Sequence, residues 1–188
     1  MTRQYCHVGS RTIAYLDSVP GGSDLRTIVL LHAFPLGAGM WEPQIRSIPP
    51  GWRLLTPDLR GFGGTTDPTE GEPSMDAYAK DVIDLLGELG VSRAVVGGCS
   101  MGGYATFALL RRAPHMVEGV VLADTRLGAD SPEGRANRRA MLALVDRLVE
   151  QRLASKAAAR AAPAGSAERN THEAMSAAMK LVVNSAYG

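Results

Sequence analysis

Apolar runs separated by turns rich in glycine and proline dominate the first two thirds of the chain. Residues 27–31 are continuously apolar without alternation, which is typical of a strand buried on both faces of a parallel sheet. Residues 117–122 predict another buried strand, and residues 52–58 and 94–97 predict two more. Two shorter stretches predict a hairpin at the N-terminus, at residues 4–8 and 12–16.

Helical patterns alternate with these strands. Ser74 is a suitable N-cap for a helix that runs to about Leu89, and residues 104–113 predict a second helix. Strands that alternate with helices at this spacing predict an α/β fold with a mostly parallel sheet. Right-handed crossovers then place helices on both faces of that sheet.

The remainder of the chain predicts helices without a further strand. Residues 133–153 predict one helix, and the alanine-rich residues 156–167 predict a weak helix that runs into a linker. Asn170 with Glu173 resembles a capping box that opens a last helix ending near residue 183. We therefore expect two segments, a core and a helical cap-like segment with a C-terminal helix, at residues 1–125 and 126–188.

Composition narrows the class of protein. A chain of 188 residues is long enough for a substantial core, and its net charge of +1 points to neither nucleic acid nor a membrane as a partner. The N-terminus lacks the apolar run of a signal peptide, and no segment approaches transmembrane length. The two cysteines, Cys6 and Cys99, form no disulfide framework, so we expect a reduced cytoplasmic protein.

The sequence Gly98-Cys99-Ser100-Met101-Gly102 carries the strongest candidate chemistry. It fits the pattern Gly-x-Ser-x-Gly of a nucleophile elbow, in which a strand turns directly into a helix and strains the serine backbone. Gly98 and Gly102 are then expected to approach each other so closely that a Cβ on either would collide. The alternative is an ordinary glycine-serine turn, but the predicted strand before it and helix after it favour the elbow. The spacing fits neither a phosphate-binding loop nor a dinucleotide fingerprint.

Two further motifs precede this one in the chain, His32-Ala33-Phe34-Pro35 and Asp58-Leu59-Arg60-Gly61-Phe62-Gly63. With Gly98-Cys99-Ser100-Met101-Gly102-Gly103 they resemble the α/β-hydrolase superfamily, and most closely its esterase and non-haem perhydrolase-like branch. The likeness is strong over about residues 5–125 and looser over residues 126–153. It implies an α/β-hydrolase-like, mostly parallel sheet with flanking helices and a partial helical cap.

The resemblance implies a role for each motif. Ser100 would be the nucleophile that forms an acyl-enzyme, and the backbone N–H groups of Phe34 and Met101 would form the oxyanion hole. His32 would support the oxyanion loop rather than act as a base. Asp58 and Arg60 would fix loops. The alternative is that they form a solvated or loop-bracing charge pair.

The resemblance also implies an acid after a seventh strand and a histidine base after an eighth, and the sequence stops before either. We therefore expect a shortened family member that lacks the last two strands. Residues 117–122 would then form a bare apolar sheet edge, through which a homodimer is possible.

Other residues must supply the acid and the base if this chain is to have them. Asp124 is the candidate acid, because it follows the strand beside the elbow strand, at the end where an α/β sheet keeps its site. His7 and His115 are expected on the surface. His172 is expected in the last helix, from which it could also reach over the site.

Two functions are open at this point. The first is a serine hydrolase that acts on a small-molecule acyl substrate without metal or organic cofactor, impaired here because its base is missing. The second is a catalytically inactive pseudo-hydrolase that binds a ligand or a partner. The fold and nucleophile also leave perhydrolase and lyase chemistry open.

Overall fold

The computed structural model describes residues 2–22, 24–65, 74–128 and 131–185. The chain divides into two compact units, Met1–Leu127 and Gly128–Gly188. Among the described residues, no helix combines the length and the apolar character needed to cross a membrane.

The described part of the first unit is built on a six-stranded sheet with the order β1-β2-β4-β3-β5-β6. Strands β4, β3, β5 and β6 run parallel to one another, whereas β1 with β2 and β2 with β4 pair antiparallel. The strands are β1 (Gln4–Val8), β2 (Arg11–Asp17), β3 (Arg26–Leu31), β4 (Trp52–Pro57), β5 (Ala94–Cys99) and β6 (Val117–Ala123). This arrangement confirms the predicted α/β fold with a mostly parallel sheet.

Three helices of the first unit follow the parallel strands: α1 (Glu42–Arg46), α2 (Met75–Glu88) and α3 (Met101–Arg112). The Ser74 side chain accepts a hydrogen bond from the Ala77 N–H at 3.1 Å, so the predicted N-cap of α2 is confirmed. Two 3₁₀ turns complete this set, Ala38–Trp41 before α1 and Pro114–Met116 after α3.

The central strand β3 buries side chains on both of its faces, which explains its run of apolar residues. Val29 and Leu31 belong to one buried cluster, which they share with Leu109 of α3. Leu30 belongs to a second cluster, which it shares with Ile45 of α1. Because successive side chains of a strand point to opposite faces, a sheet covered on both faces requires apolar residues at every position.

Strand β6 forms one edge of the sheet and is far less buried than its sequence predicts. Val120, Val121 and Leu122 are 40%, 48% and 42% exposed. The strand is present, but the expectation that it is buried is wrong, since no described strand pairs with its outer side. The apolar edge expected from the resemblance is therefore found in the described chain.

The described residues of the second unit form two helices, α4 (Pro132–Ala161) and α5 (Ala167–Ser185). The predicted break near residue 156 is wrong, because α4 continues through the alanine-rich stretch, in which alanine is the strongest helix former. The Ser166 side chain accepts from the Arg169 N–H at 3.2 Å, so Ser166 caps α5 and Asn170 lies inside the helix. The capping box predicted at Asn170 is therefore wrong.

A buried ion pair joins the antiparallel and parallel parts of the sheet. Arg53 of β4 donates to Asp17 of β2 through Nη2 at 2.7 Å and Nε at 3.1 Å. The two side chains are only 4% and 1% exposed. Breaking such a pair leaves a charge buried without compensation, which is costly in a protein interior.

We expect Arg53→Met to lower the free energy of unfolding by about 3–5 kcal/mol, because Asp17 keeps a buried charge without its partner. Arg46→Met is the matched control, since Arg46 pairs with Glu42 at 2.8 Å while 73% of its side chain is exposed. The control should cost about 0.5 kcal/mol or less. Urea unfolding followed by circular dichroism measures both variants, and equal losses would contradict a structural role for the buried pair.

Candidate active site

Ser100 lies at the junction of β5 and α3, with no loop between the two elements. Its backbone angles are φ 49° and ψ −111°, a region that side-chain-bearing residues rarely adopt. Its N–H donates to the Ala123 carbonyl at 3.0 Å, and its carbonyl accepts from the Thr125 hydroxyl at 3.1 Å. Strand β6 and the residues after it therefore hold Ser100 in this conformation.

Glycines on both sides of Ser100 permit the sharp turn. A Cβ on Gly98 would lie 2.2 Å from the carbonyl carbon of Gly102, so the expected close approach is confirmed at Gly98. A Cβ on Gly102 would instead lie 2.2 Å from the carbonyl oxygen of Leu31, at the end of β3. The start of α3 is therefore pressed against the end of β3, where the segment carrying Phe34 begins.

Phe34 and Met101, the predicted oxyanion-hole residues, lie on the two segments that leave adjacent strands. Met101 is the first residue of α3, and the opening N–H groups of a helix have no acceptor within the helix. Phe34 follows β3, which pairs with β5 in parallel so that Leu31 stands opposite Gly98. The Phe34 ring packs edge-on against the Phe62 ring, with the ring centroids 5.8 Å apart, and the Phe34-Pro35 peptide bond is cis.

His32 connects the segments that follow β3 and β4. Its Nδ1 donates to the Ala33 carbonyl at 2.9 Å, and its Nε2 accepts from the Leu59 N–H at 2.9 Å. The side chain is fully buried, and burial lowers the pKa of His32 below its ordinary value, although the Ala33 hydrogen bond and the Asp58 charge oppose this shift. A neutral ring with both nitrogens occupied cannot accept a proton from Ser100.

Asp58 also joins the segments that follow β3 and β4. Its Oδ1 accepts from the Ala38 N–H at 2.6 Å, and its Oδ2 accepts from the Gly64 N–H at 2.9 Å and pairs with Arg3 at 3.0 Å. The carboxylate is buried and bound on both oxygens, so it braces the two loops and does not stand free for chemistry.

Arg60 forms an ion pair with a residue of α2. Its Nη2 lies 2.9 Å from Asp81 Oδ1, on α2, and both side chains are almost fully buried. Arg11 also pairs with Asp81. Asp58 and Arg60 are both buried, so the solvated form of the alternative is wrong, whereas Asp58 does brace loops.

Asp124 follows β6 with a positive φ of 45° and is exposed. Burial raises the pKa of the Cys99 thiol, and the negative charge of Asp124 raises it further. The Asp124 carboxylate therefore influences the ionisation of the residue that precedes Ser100. The next residue, Thr125, packs closely against Gly103. A Cβ added at Gly103 would lie 2.6 Å from the Thr125 side chain. The loop after β6 is therefore fitted closely around the start of α3.

The first unit contains three histidines, none of which stands beside Ser100 as a base. His32 has both ring nitrogens occupied. His115 lies in the turn after α3, about 18 Å along the helix from Ser100. His7 is exposed on β1, four strand spacings or about 19 Å from β5. His172 lies in α5 of the second unit.

Sequence reasoning missed two contributors to this site. Thr125 ties the β6 loop to Ser100, and nothing in its local sequence distinguishes it. Asp81 anchors Arg60 and did carry a signal, since it is a charged residue at helical spacing from buried Tyr78, Val82 and Leu85. Among the described residues, no cluster of three or more His, Cys, Asp or Glu side chains could hold a metal ion.

Gly98→Ala should destabilise the protein by about 3 kcal/mol or more, because its Cβ would collide with backbone that no side-chain movement can relieve. Gly87→Ala is the matched control, since Gly87 lies in α2 and a Cβ there meets nothing within 4 Å. The control should gain about 0.5–1 kcal/mol through helix propensity. Thermal and urea unfolding measure both, and a neutral Gly98→Ala would contradict the tight turn.

Stability should fall as the pH is lowered through the range in which an unfolded histidine takes up its proton. The unfolded state binds that proton near its ordinary pKa of about 6.5, whereas folded His32 binds it only at lower pH. Its contribution is therefore fully present above about pH 7.5 and is progressively lost as the pH falls through about 6.5 toward the lower pKa of folded His32. Urea unfolding at several pH values should give a flatter pH dependence for His32→Gln, and an unchanged slope would contradict a buried neutral His32.

Comparison with known proteins agrees with this geometry. A family model described as alpha/beta hydrolase fold matches residues 26–188. The chain is 39% identical over 98 residues to a pimeloyl-[acyl-carrier protein] methyl ester esterase of Aromatoleum aromaticum, covering 52% of this chain and 36% of that protein. It is 37% identical over 124 residues to a putative non-heme chloroperoxidase of Synechocystis sp., covering 63% and 44%.

A solved structure gives the same result in three dimensions. A thermophilic esterase from Thermogutta terrifontis superposes with a TM-score of 0.65 at 33% sequence identity, covering 79% of this chain and 53% of that one. The chain thus spans about half or less of the length of these similar proteins. Family match, sheet order and backbone at Ser100 agree, and the chain belongs to the α/β-hydrolase fold family.

Proposed function

We propose that the chain carries the nucleophile of a serine hydrolase, which cleaves a small carboxylic ester or related acyl substrate through an acyl-enzyme on Ser100. The observation that carries this proposal is the strained Ser100 backbone between a strand and a helix N-terminus. Strain of this kind persists only where its surroundings enforce it, and it clusters at active sites. The esterases among the similar proteins support the choice of an ester.

In the proposed reaction, Ser100 Oγ attacks the carbonyl carbon while a base takes the hydroxyl proton, and the carbonyl electron pair moves to oxygen. The N–H groups of Phe34 and Met101 would donate to this oxyanion, where the N-terminal end of α3 adds positive potential. The tetrahedral intermediate then expels the alcohol, which takes up the proton. Water hydrolyses the acyl-enzyme, which releases the acid and regenerates Ser100.

The base is the part of this mechanism for which the first unit offers no residue. We assign Asp124 as the acid that would orient a histidine, because it lies at the C-terminal end of β6 and acts on Cys99. A serine hydroxyl without a base is a weak nucleophile, and loss of a triad member costs roughly a million-fold in turnover. This chain is therefore expected to turn over esters slowly.

A second candidate function is a binding module without catalysis. The placement of the three histidines of the first unit favours it, because none can take the Ser100 proton. Such a module would bind a small acyl ligand at the same turn. The exposed apolar edge of β6 would offer a surface on which a second copy could pair.

We expect a fluorophosphonate probe to add to Ser100, more slowly than to an enzyme with a complete triad, and Ser100→Ala to abolish the adduct. The reason is that Ser100 is only partly buried and begins a helix whose first N–H groups would favour the developing charge even without a base. Intact-mass spectrometry over a time course measures labelling. Hydrolysis of a small activated ester, followed in parallel, should be abolished by the same variant.

Ser47→Ala is the matched control for this experiment, because it removes an exposed serine at the end of α1 and should label like the unmodified protein. An adduct that persists in Ser100→Ala would contradict the assignment of the nucleophile. A folded protein that never labels would favour the binding module.

A further inference from the structure

A cleft of about 360 Å³ lies between the two helices of the second unit. One wall comes from α4, where Arg152, Lys156 and Arg160 recur every four residues and so share one face of the helix. The opposite wall comes from α5, where Arg169 and Glu173 share a face in the same way. A cavity of this volume is large enough for a small organic ligand.

The charged side chains that line the cleft are mostly positive. Four of its lining side chains are cationic, and Glu173 is the acidic one among them. Glu173 is already engaged, because it accepts from Arg169 Nε at 3.0 Å. In the part of the chain that the structure describes, no carboxylate pairs with Arg152, Lys156 or Arg160.

Arg152 adds a second, independent observation that points to a ligand. Its Nε is buried and has no hydrogen-bond partner among the described residues. A buried donor without an acceptor is costly, as is a row of like charges one helical turn apart. An anion with several oxygen acceptors in the cleft would lessen the repulsion along this row and offer an acceptor to the Arg152 guanidinium.

A solvated helix face would explain cations that point to water, and α4 has such residues. Arg135 and Arg139 are exposed near the start of the helix and do not line the cleft. Arg152 differs from them because it is half-buried, and buried Ser176 lines the same cavity with a hydroxyl group. A solvated face does not account for these two residues.

We propose that the α4–α5 cleft binds a small oxyanion with at least two negative charges, of the phosphate-ester or polycarboxylate class. Planar guanidinium groups match both carboxylate and phosphate oxygens and can bind them through paired hydrogen bonds. Lys156 supplies a further charge, and Ser176 supplies a neutral donor. This proposal is independent of the reaction proposed at Ser100.

Isothermal titration of the full chain with pyrophosphate, and separately with citrate, tests the proposal at constant ionic strength. We expect saturable binding of one molecule per chain by at least one of these probes, and the tighter one indicates the ligand class. The double variant Arg152→Gln/Arg160→Gln should weaken binding about tenfold or more, because it removes charge-assisted hydrogen bonds. Ser100→Ala should bind like the unmodified protein.

The double variant Arg135→Gln/Arg139→Gln is the matched control, since it removes the same charge from the same helix outside the cleft. Equal weakening in both double variants would overturn the proposal in favour of nonspecific attraction, as would the lack of saturable binding of either probe. If Arg152→Gln/Arg160→Gln does not fold, Arg152→Lys/Arg160→Lys keeps the charge and loses the guanidinium forks. That variant should still bind more weakly, and unchanged affinity there would overturn the proposal.

Thermal unfolding gives a second readout of the same site. A ligand that binds only the folded state raises the unfolding temperature, and the rise grows as the ligand concentration exceeds its Kd. The better probe should therefore raise it in the unmodified protein and in Arg135→Gln/Arg139→Gln, and much less in Arg152→Gln/Arg160→Gln. An equal rise in all three proteins would overturn the proposal.

Discussion

A strand that passes into a helix without a loop is the constraint on which the candidate site depends. The turn is possible only because Gly98 and Gly102 leave room for backbone at 2.2 Å from where a Cβ would stand. It places Ser100 at φ 49° and brings the first N–H groups of α3 beside it. A strained backbone and unpaired helix N–H groups therefore arise together from one local geometry.

The segments around Ser100 are held by buried polar groups rather than by apolar packing alone. His32 and Asp58 both join the segment after β3 to the segment after β4, and each accepts backbone N–H groups. Loops carry backbone groups that no helix or strand satisfies, so buried side chains must do so. The loop-supporting role that the resemblance implies for both residues agrees with these contacts.

The family match and the described histidines together shape the functional proposal. The chain covers about half or less of the proteins it resembles, and none of the histidines of the first unit stands beside Ser100. A measurement of the reactivity of Ser100 therefore distinguishes the hydrolase from the binding module. The cationic cleft of the second unit is a separate question, because its charges and cavity lie wholly on α4 and α5.

The sequence by itself determined the sheet strands, the cap of α2 at Ser74 and the turn at Ser100, because each depends on local sterics or on periodicity. Only the tertiary structure decided the partners of Arg60, the bracing of Asp58 and the role of Thr125, because these contacts join residues far apart in the chain. The exposure of β6 was decided in the same way. An apolar run specifies a strand, but its burial depends on which neighbours the fold places beside it.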